Sequence, residues 1–202
     1  MTPLILAVDT TREYGSTALL RGTQVLEEFT IHAPKGFAHV LYEHLGALLD
    51  RHGVKPADID CFAAASGPGS FTGVRVGLAC IKGLAEAVGK PAVGVSNLQA
   101  IASLGNGPLR APVIDARRGE IYGAVYDEAG RAVLPEVVAP LEEWRRTLPP
   151  EAQIVELAAE APMAAAIARI ALVRLLAGEA ADPAALDANY VRRSDAELFW
   201  EE

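Results

Sequence analysis

A two-lobed α/β chain is what the sequence predicts. Three observations predict it. Short apolar runs of strand length alternate with stretches of helical period, a set of strands opens each half, and Leu104-Gly105-Asn106-Gly107-Pro108 has the composition of a linker between the halves. The lobes are then residues 1–106 and 107–202.

Leu4 to Val8 is a continuous apolar run, the mark of a strand buried on both faces. A polar turn from Thr10 to Gly15 follows, then a strand from Ser16 to Leu20, a turn at Arg21-Gly22-Thr23 and a strand from Val25 to Ile31. From Gly36 to His52 the apolar residues Phe37, Val40, Leu41, Leu45, Leu48 and Leu49 recur at spacings of three and four, so this stretch reads as a helix stopped by Gly53. A strand over Cys61 to Ala65 runs into Ser66-Gly67-Pro68-Gly69-Ser70, and a helix follows from Thr72 to Val88. Ala92 to Val95 is the next buried strand, and Ser96 or Asn97 caps a helix to Ala102. The pattern then restarts, with strands over 112–116, 121–126 and 132–138 and a short helix over 141–147. A short strand over 154–158 and an Ala-rich helix over 163–177 complete it, and Gly178 stops that helix.

Composition narrows the function. Apolar residues make up 51% of the chain and charged residues 22%, enough to bury a core. The net charge of −8 argues against an unaided grip on nucleic acid. The basic pairs Arg117-Arg118, Arg145-Arg146 and Arg192-Arg193 read as solvated surface, so any RNA is held mainly by a partner. Cys61 and Cys80 lie in apolar and small-residue surroundings and read as buried hydrophobes outside any disulfide. The N-terminus has no basic leader, and Arg169 and Arg174 interrupt the longest apolar stretch, so a cytoplasmic chain with no membrane span is expected.

Several motifs bear on chemistry. Gly67-Pro68-Gly69-Ser70-Phe71-Thr72-Gly73 lies between a strand and a helix, the context of a phosphate cradle. Its spacing fits neither a P-loop, since Val74 stands where Lys is needed, nor a dinucleotide fingerprint, since Thr72 stands where the third Gly is needed. The helix beyond it carries Gly73, Gly77 and Gly83, and interior glycines each cost about 1 kcal/mol relative to Ala. Close approach of another helix, from this chain or a second subunit, is the natural compensation. Asp9 and Thr10 end the first strand and form either a locally satisfied turn or the vestige of a phosphate site. Among His32, His39, His44 and His52, the two on one helix, His39 and His44, point about 140° apart, which is wrong for a shared metal. Asp115-Ala116-Arg117-Arg118-Gly119-Glu120 is an exposed charged turn or a partner contact.

Together, Val8-Asp9-Thr10, Gly15-Ser16-Thr17-Ala18-Leu19, Gly67 through Gly77 and Ile114 through Tyr122 resemble the TsaB family, and the Gly-Pro-Gly-Ser-Phe-Thr-Gly block is the most specific part. The tail Asn189-Tyr190-Val191-Arg192-Arg193 is similar to that family's closing Pro-x-Tyr-Leu-Arg. The resemblance implies an actin/Hsp70-like (ASKHA) fold of two ββαβα-type lobes, the C-terminal one shortened. It implies a non-catalytic, cofactor-free subunit that dimerises with its paralogue TsaD and self-pairs when alone. TsaD transfers threonylcarbamoyl to the adenosine beside the anticodon of tRNA and holds metal through a His-x-x-x-His pair. An ATPase, TsaE, completes the assembly, and tRNA is reached only through the complex. Pairing uses the two N-lobe helices, here Gly36–His52 and Thr72–Val88, so His39, Gly73, Val76, Gly77, Cys80 and Gly83 are the expected interface. Residues 140–188 depart from the family, and Ile154 to Glu160 lacks the glycine-rich turn of an adenosine site. The competing readings are an ATP-dependent small-molecule kinase of the same fold and a metallopeptidase.

Overall fold

The computed structural model describes residues 2–192; Arg193, Phe199 and Trp200 of the tail lie outside the described residues. Two sheets organise them. β1 (Leu4–Asp9), β2 (Tyr14–Arg21), β3 (Gln24–His32), β4 (Cys61–Gly67) and β5 (Ala92–Ser96) form the first, in the order β3-β2-β1-β4-β5. β1 to β3 are antiparallel, while β4 runs parallel to β1 and β5 parallel to β4. β6 (Leu109–Arg117), β7 (Glu120–Asp127), β8 (Ala132–Pro140) and β9 (Ala152–Val155) form the second, in the order β8-β7-β6-β9. That order repeats β3-β2-β1-β4, and β5 has no counterpart among the described residues. The duplication and the shortened second lobe are therefore both visible in the topology.

The helices are α1 (Leu41–Arg51), α2 (Phe71–Val88), α3 (Asn97–Ala102), α4 (Leu141–Arg145) and α5 (Ala164–Leu176). The first helix differs from expectation. Residues Phe37–His39 form a 3-10 turn closed by the Val40 N–H on the Phe37 carbonyl, and α1 starts only at Leu41. β9 also starts earlier than its apolar residues suggest, because it pairs in parallel with Leu109 to Pro112 of β6.

The first sheet is buried on both faces. Leu4, Leu6 and Val8 of β1 pack with Leu45 and Leu48 of α1 and Leu78 and Ile81 of α2. Ile5 and Ala7, pointing the other way, pack with Ala164, Ile167, Ala168 and Ala171 of α5. Alanines along α5 allow that helix to lie close on β1, β2 and β4. The N-terminus of α5 is satisfied by the first sheet: Ser16 Oγ accepts from the Met163 and Ala164 N–H groups at 3.0 Å, and Glu28 Oε1 from Ala165 at 2.7 Å. The second sheet keeps its own small core around Trp144, whose ring lies against the bare face of Gly123; a Cβ there would stand 2.5 Å from it. Among the described residues, no helix is long and apolar enough to cross a membrane.

Candidate functional site: a filled cleft and an open helix face

The glycine-rich loop after β4 and the turn after β1 are packed into each other. Ser70 N donates to the Thr11 carbonyl at 2.8 Å, and Thr10 Oγ1 donates to the Gly73 carbonyl at 2.7 Å. Gly69 lies against Thr11, where a Cβ would come within 2.8 Å. A Cβ on Gly73 would overlap the Thr10 carbonyl oxygen, and one on Gly77 would stand 2.5 Å from Thr10 Oγ1. Ser70 caps α2 by accepting from the Gly73 N–H, and Gly89, at φ +65°, closes it in the left-handed region. The Gly67–Pro68 peptide is cis.

Asp9 is fully buried and its carboxylate is used within the chain. Oδ1 accepts from the Thr11 N–H at 2.9 Å and the Thr11 hydroxyl at 2.6 Å, an Asx-type turn. Oδ2 receives Arg12 Nη2 at 3.2 Å. The same guanidinium donates to the carbonyls of Ala158 and Ala159 at 3.3 Å and of Ala161 at 2.8 Å, in the loop between β9 and α5. Asn97 of α3 donates to Thr11 Oγ1 and accepts from the Gly67 N–H at 3.0 Å. Thus the charge a phosphate-bound metal would bring to Asp9 comes from Arg12. Arg12 did not stand out in the sequence, and Asn97, offered there as an alternative cap to Ser96, instead holds the cleft loops together. The signal for Arg12 was its spacing of three from Asp9 across a turn.

The expected interface residues fall into two groups. Gly73, Gly77 and Cys80 are buried by their own chain, so the clearance inferred for a neighbouring helix is filled, at the two glycines, by Thr10. Gly83 is exposed with open space above it, Val76 is half-buried and His39 is exposed. His39 and Val76 share a cavity of about 300 Å³ with Thr10, Lys35, Thr72 and Gly73. Beside them Tyr42 is 60% exposed, and Gly46 of α1, like Gly83, has open space above it. Sequence reasoning passed over Tyr42, whose hydroxyl lies near enough to the Cys80 thiol for each to influence the other's titration. Burial pushes that thiol up to about 11 against the opposing effect of the Tyr42 hydroxyl, while burial and then the neighbouring Asp60 charge push Cys61 up to about 12.

Between the sheets lies a second cavity of about 400 Å³ lined by Arg12, Ser70, Asn97, Asp115, Arg117 and Tyr122 among others. The charged β6–β7 turn therefore borders the cleft, with Arg117 and Arg118 at positive φ (67° and 58°). His44 Nδ1 donates to the Val40 carbonyl at 2.8 Å, and His52 pairs with Glu27. Among the described residues no three His, Cys, Asp or Glu side chains gather as a metal site.

This architecture has relatives. A family model described as TsaD, tRNA N6-adenosine threonylcarbamoyltransferase, matches residues 31–184. The tRNA threonylcarbamoyladenosine biosynthesis protein TsaB of Bacillus subtilis is 33% identical over 149 residues, which cover 71% of this chain and 65% of that protein. Its namesake in Escherichia coli is 38% identical over 148 residues, covering 66% and 64%. The matched region thus spans just under two thirds of either relative. YeaZ from Pseudomonas aeruginosa, a solved structure, superposes with a TM-score of 0.80 at 27% identity over 93% of this chain and 99% of that one. The chain belongs to the TsaB/YeaZ family, paralogous to TsaD.

Proposed function

We propose that this chain is a non-catalytic partner subunit for threonylcarbamoyl transfer to the adenosine beside the anticodon of tRNA. It acts in the cytoplasm by pairing with a TsaD-type catalytic subunit, alongside a TsaE-type ATPase, and meets tRNA only through that assembly. Alone, it pairs with a second copy of itself through the same face. The observation that carries the reading is the exposed face of α1 and α2. Tyr42 is 60% exposed there, with Gly46 and Gly83 open on either helix and His39 and Val76 at its edge. A large aromatic beside two bare backbone patches suits a helix pair laid across it, the aromatic supplying buried area and the glycines close approach. This face lies wholly within residues 1–106, the proposed first lobe.

The cleft supports the same reading from the other side. Arg12 already neutralises Asp9 and ties down the loop of Ala158 to Ala161 that faces it. An ATP-dependent kinase needs that carboxylate for a nucleotide-bound metal. The test is a tRNA modification assay with the catalytic subunit and the ATPase, with and without this chain. Modification requires the chain if the reading holds. Tight binding and turnover of ATP by the chain alone, measured by titration calorimetry and phosphate release, overturns it in favour of the kinase.

A further inference from the structure

Residues 181–192 cross from the first sheet to the second, and their contacts alternate between the two. Ala181 makes a two-way backbone bridge with Ala92 of β5, at 3.0 and 3.2 Å. The Leu186 carbonyl accepts from Lys82 of α2 at 2.6 Å while its side chain is buried in the α1/α2 core. The Asn189 N–H donates to the Ser66 carbonyl of β4 at 2.7 Å, and its side-chain amide donates to Glu136 Oε2 of β8 at 2.6 Å. Tyr190 accepts from Arg75 of α2 at 3.1 Å. Arg192 donates to the Ala116 carbonyl at 3.2 Å and pairs with Glu120, both at the β6–β7 turn.

Glu136 is the junction. Besides Asn189, it accepts from the Tyr126 hydroxyl of the second sheet at 2.6 Å and from Ser96, the cap of α3 on the first. Elsewhere the sheets meet through a core of Leu98, Ala102, Ala124 and Tyr126, through Ile114 and Val155 packed against the α5 core, and through Gln99, which donates to the Gly130 carbonyl at 2.9 Å. To that packing, bonds made at both ends of a segment that crosses between the sheets add a further constraint on their angle. The geometry points to residues 181–192 as a strap that sets the angle between the two sheets, with Asn189 and Glu136 as its lock. The cleft lined by Arg12, Asn97 and Arg117 is therefore held at one opening rather than free to hinge. Because Arg75 joins the strap to the exposed side of α2, the same lock also fixes the start of that helix.

The strap is tested by distance distributions between paramagnetic labels on Glu86→Cys in α2 and Glu143→Cys in α4, both exposed sites on opposite sides of the cleft. The strapped chain gives one narrow distribution. Asn189→Ala widens it about twofold, the signature of a released hinge, with the chain still folded by circular dichroism. Arg192→Ala, which removes only the far tie, gives a smaller widening and serves if Asn189→Ala fails to fold. An unchanged width in whichever variant folds overturns the strap. A loss of overall stability with no change in width assigns Asn189 an ordinary packing role instead, and overturns it equally.

Discussion

The inner and outer sides of α2 carry glycine under opposite conditions. On the inner side Gly73 and Gly77 meet Thr10, whose carbonyl and hydroxyl occupy the space a methyl group needs. On the outer side Gly83 has nothing within 4 Å, so its missing side chain serves no contact inside the chain. The first pair is explained by folding. The second residue is a helix-weakening choice with no intrachain return, and a partner is the reason this account gives for it.

The comparison can be broken at the inner side with the largest effect. Gly73→Ala drives a methyl group into backbone, and overpacking of this kind should cost about 3 kcal/mol in a denaturant melt. Were the variant as stable as the parent, the inner glycines would need another cause. Next comes the turn against which those glycines pack. Arg12→Ala leaves the buried Asp9 carboxylate without its cation, and because Arg12 is itself partly exposed the loss should be about 2 kcal/mol. Its signature is faster amide exchange in residues 158–161, which lose their donor. The opposite sign is expected on the outer side: Gly83→Ala should raise the stability of the isolated chain by about 0.5–1 kcal/mol.

The thiols sharpen the contrast through pH. A raised thiol pKa favours the neutral form, so the Cys80 thiolate is scarce until the pH nears 11. At pH 8 a disulfide reagent should leave Cys80 and Cys61 unmodified, while a cysteine introduced as Gly83→Cys reacts at the rate of an exposed thiol. Rapid labelling of Cys80 in the folded chain would place that side of α2 outward.

Much of this was legible in the sequence, and the reason is locality. The strands of the first sheet announce themselves as apolar runs because β1 and β4 are buried on both faces. Ser96, Gly53 and Gly178 mark helix ends by local chemistry that needs no distant partner. What the sequence leaves unmarked depends on long-range packing. Gly73 and Gly77 accommodate Thr10, which is remote in sequence and close only after β1 and β4 pair. Cys80, expected at the interface, is buried within the chain with Tyr42 as its neighbour. The Ala-rich helix over 163–177 is plain in the sequence, but nothing there marks the first sheet as the surface on which α5 packs. Asn189 and Glu136 meet only because the chain crosses both sheets near its end.

The central claim is that the open face of α1 and α2 receives a partner, and one substitution tests it most directly. Gly83→Arg places a long charged side chain into open solvent and removes a helix-weakening glycine, so the isolated chain should melt at or slightly above the parent temperature. Mixed with the catalytic subunit and run on a sizing column, it should no longer co-elute, and the modification assay should fall with it. Undiminished co-elution of a folded Gly83→Arg chain would contradict the account.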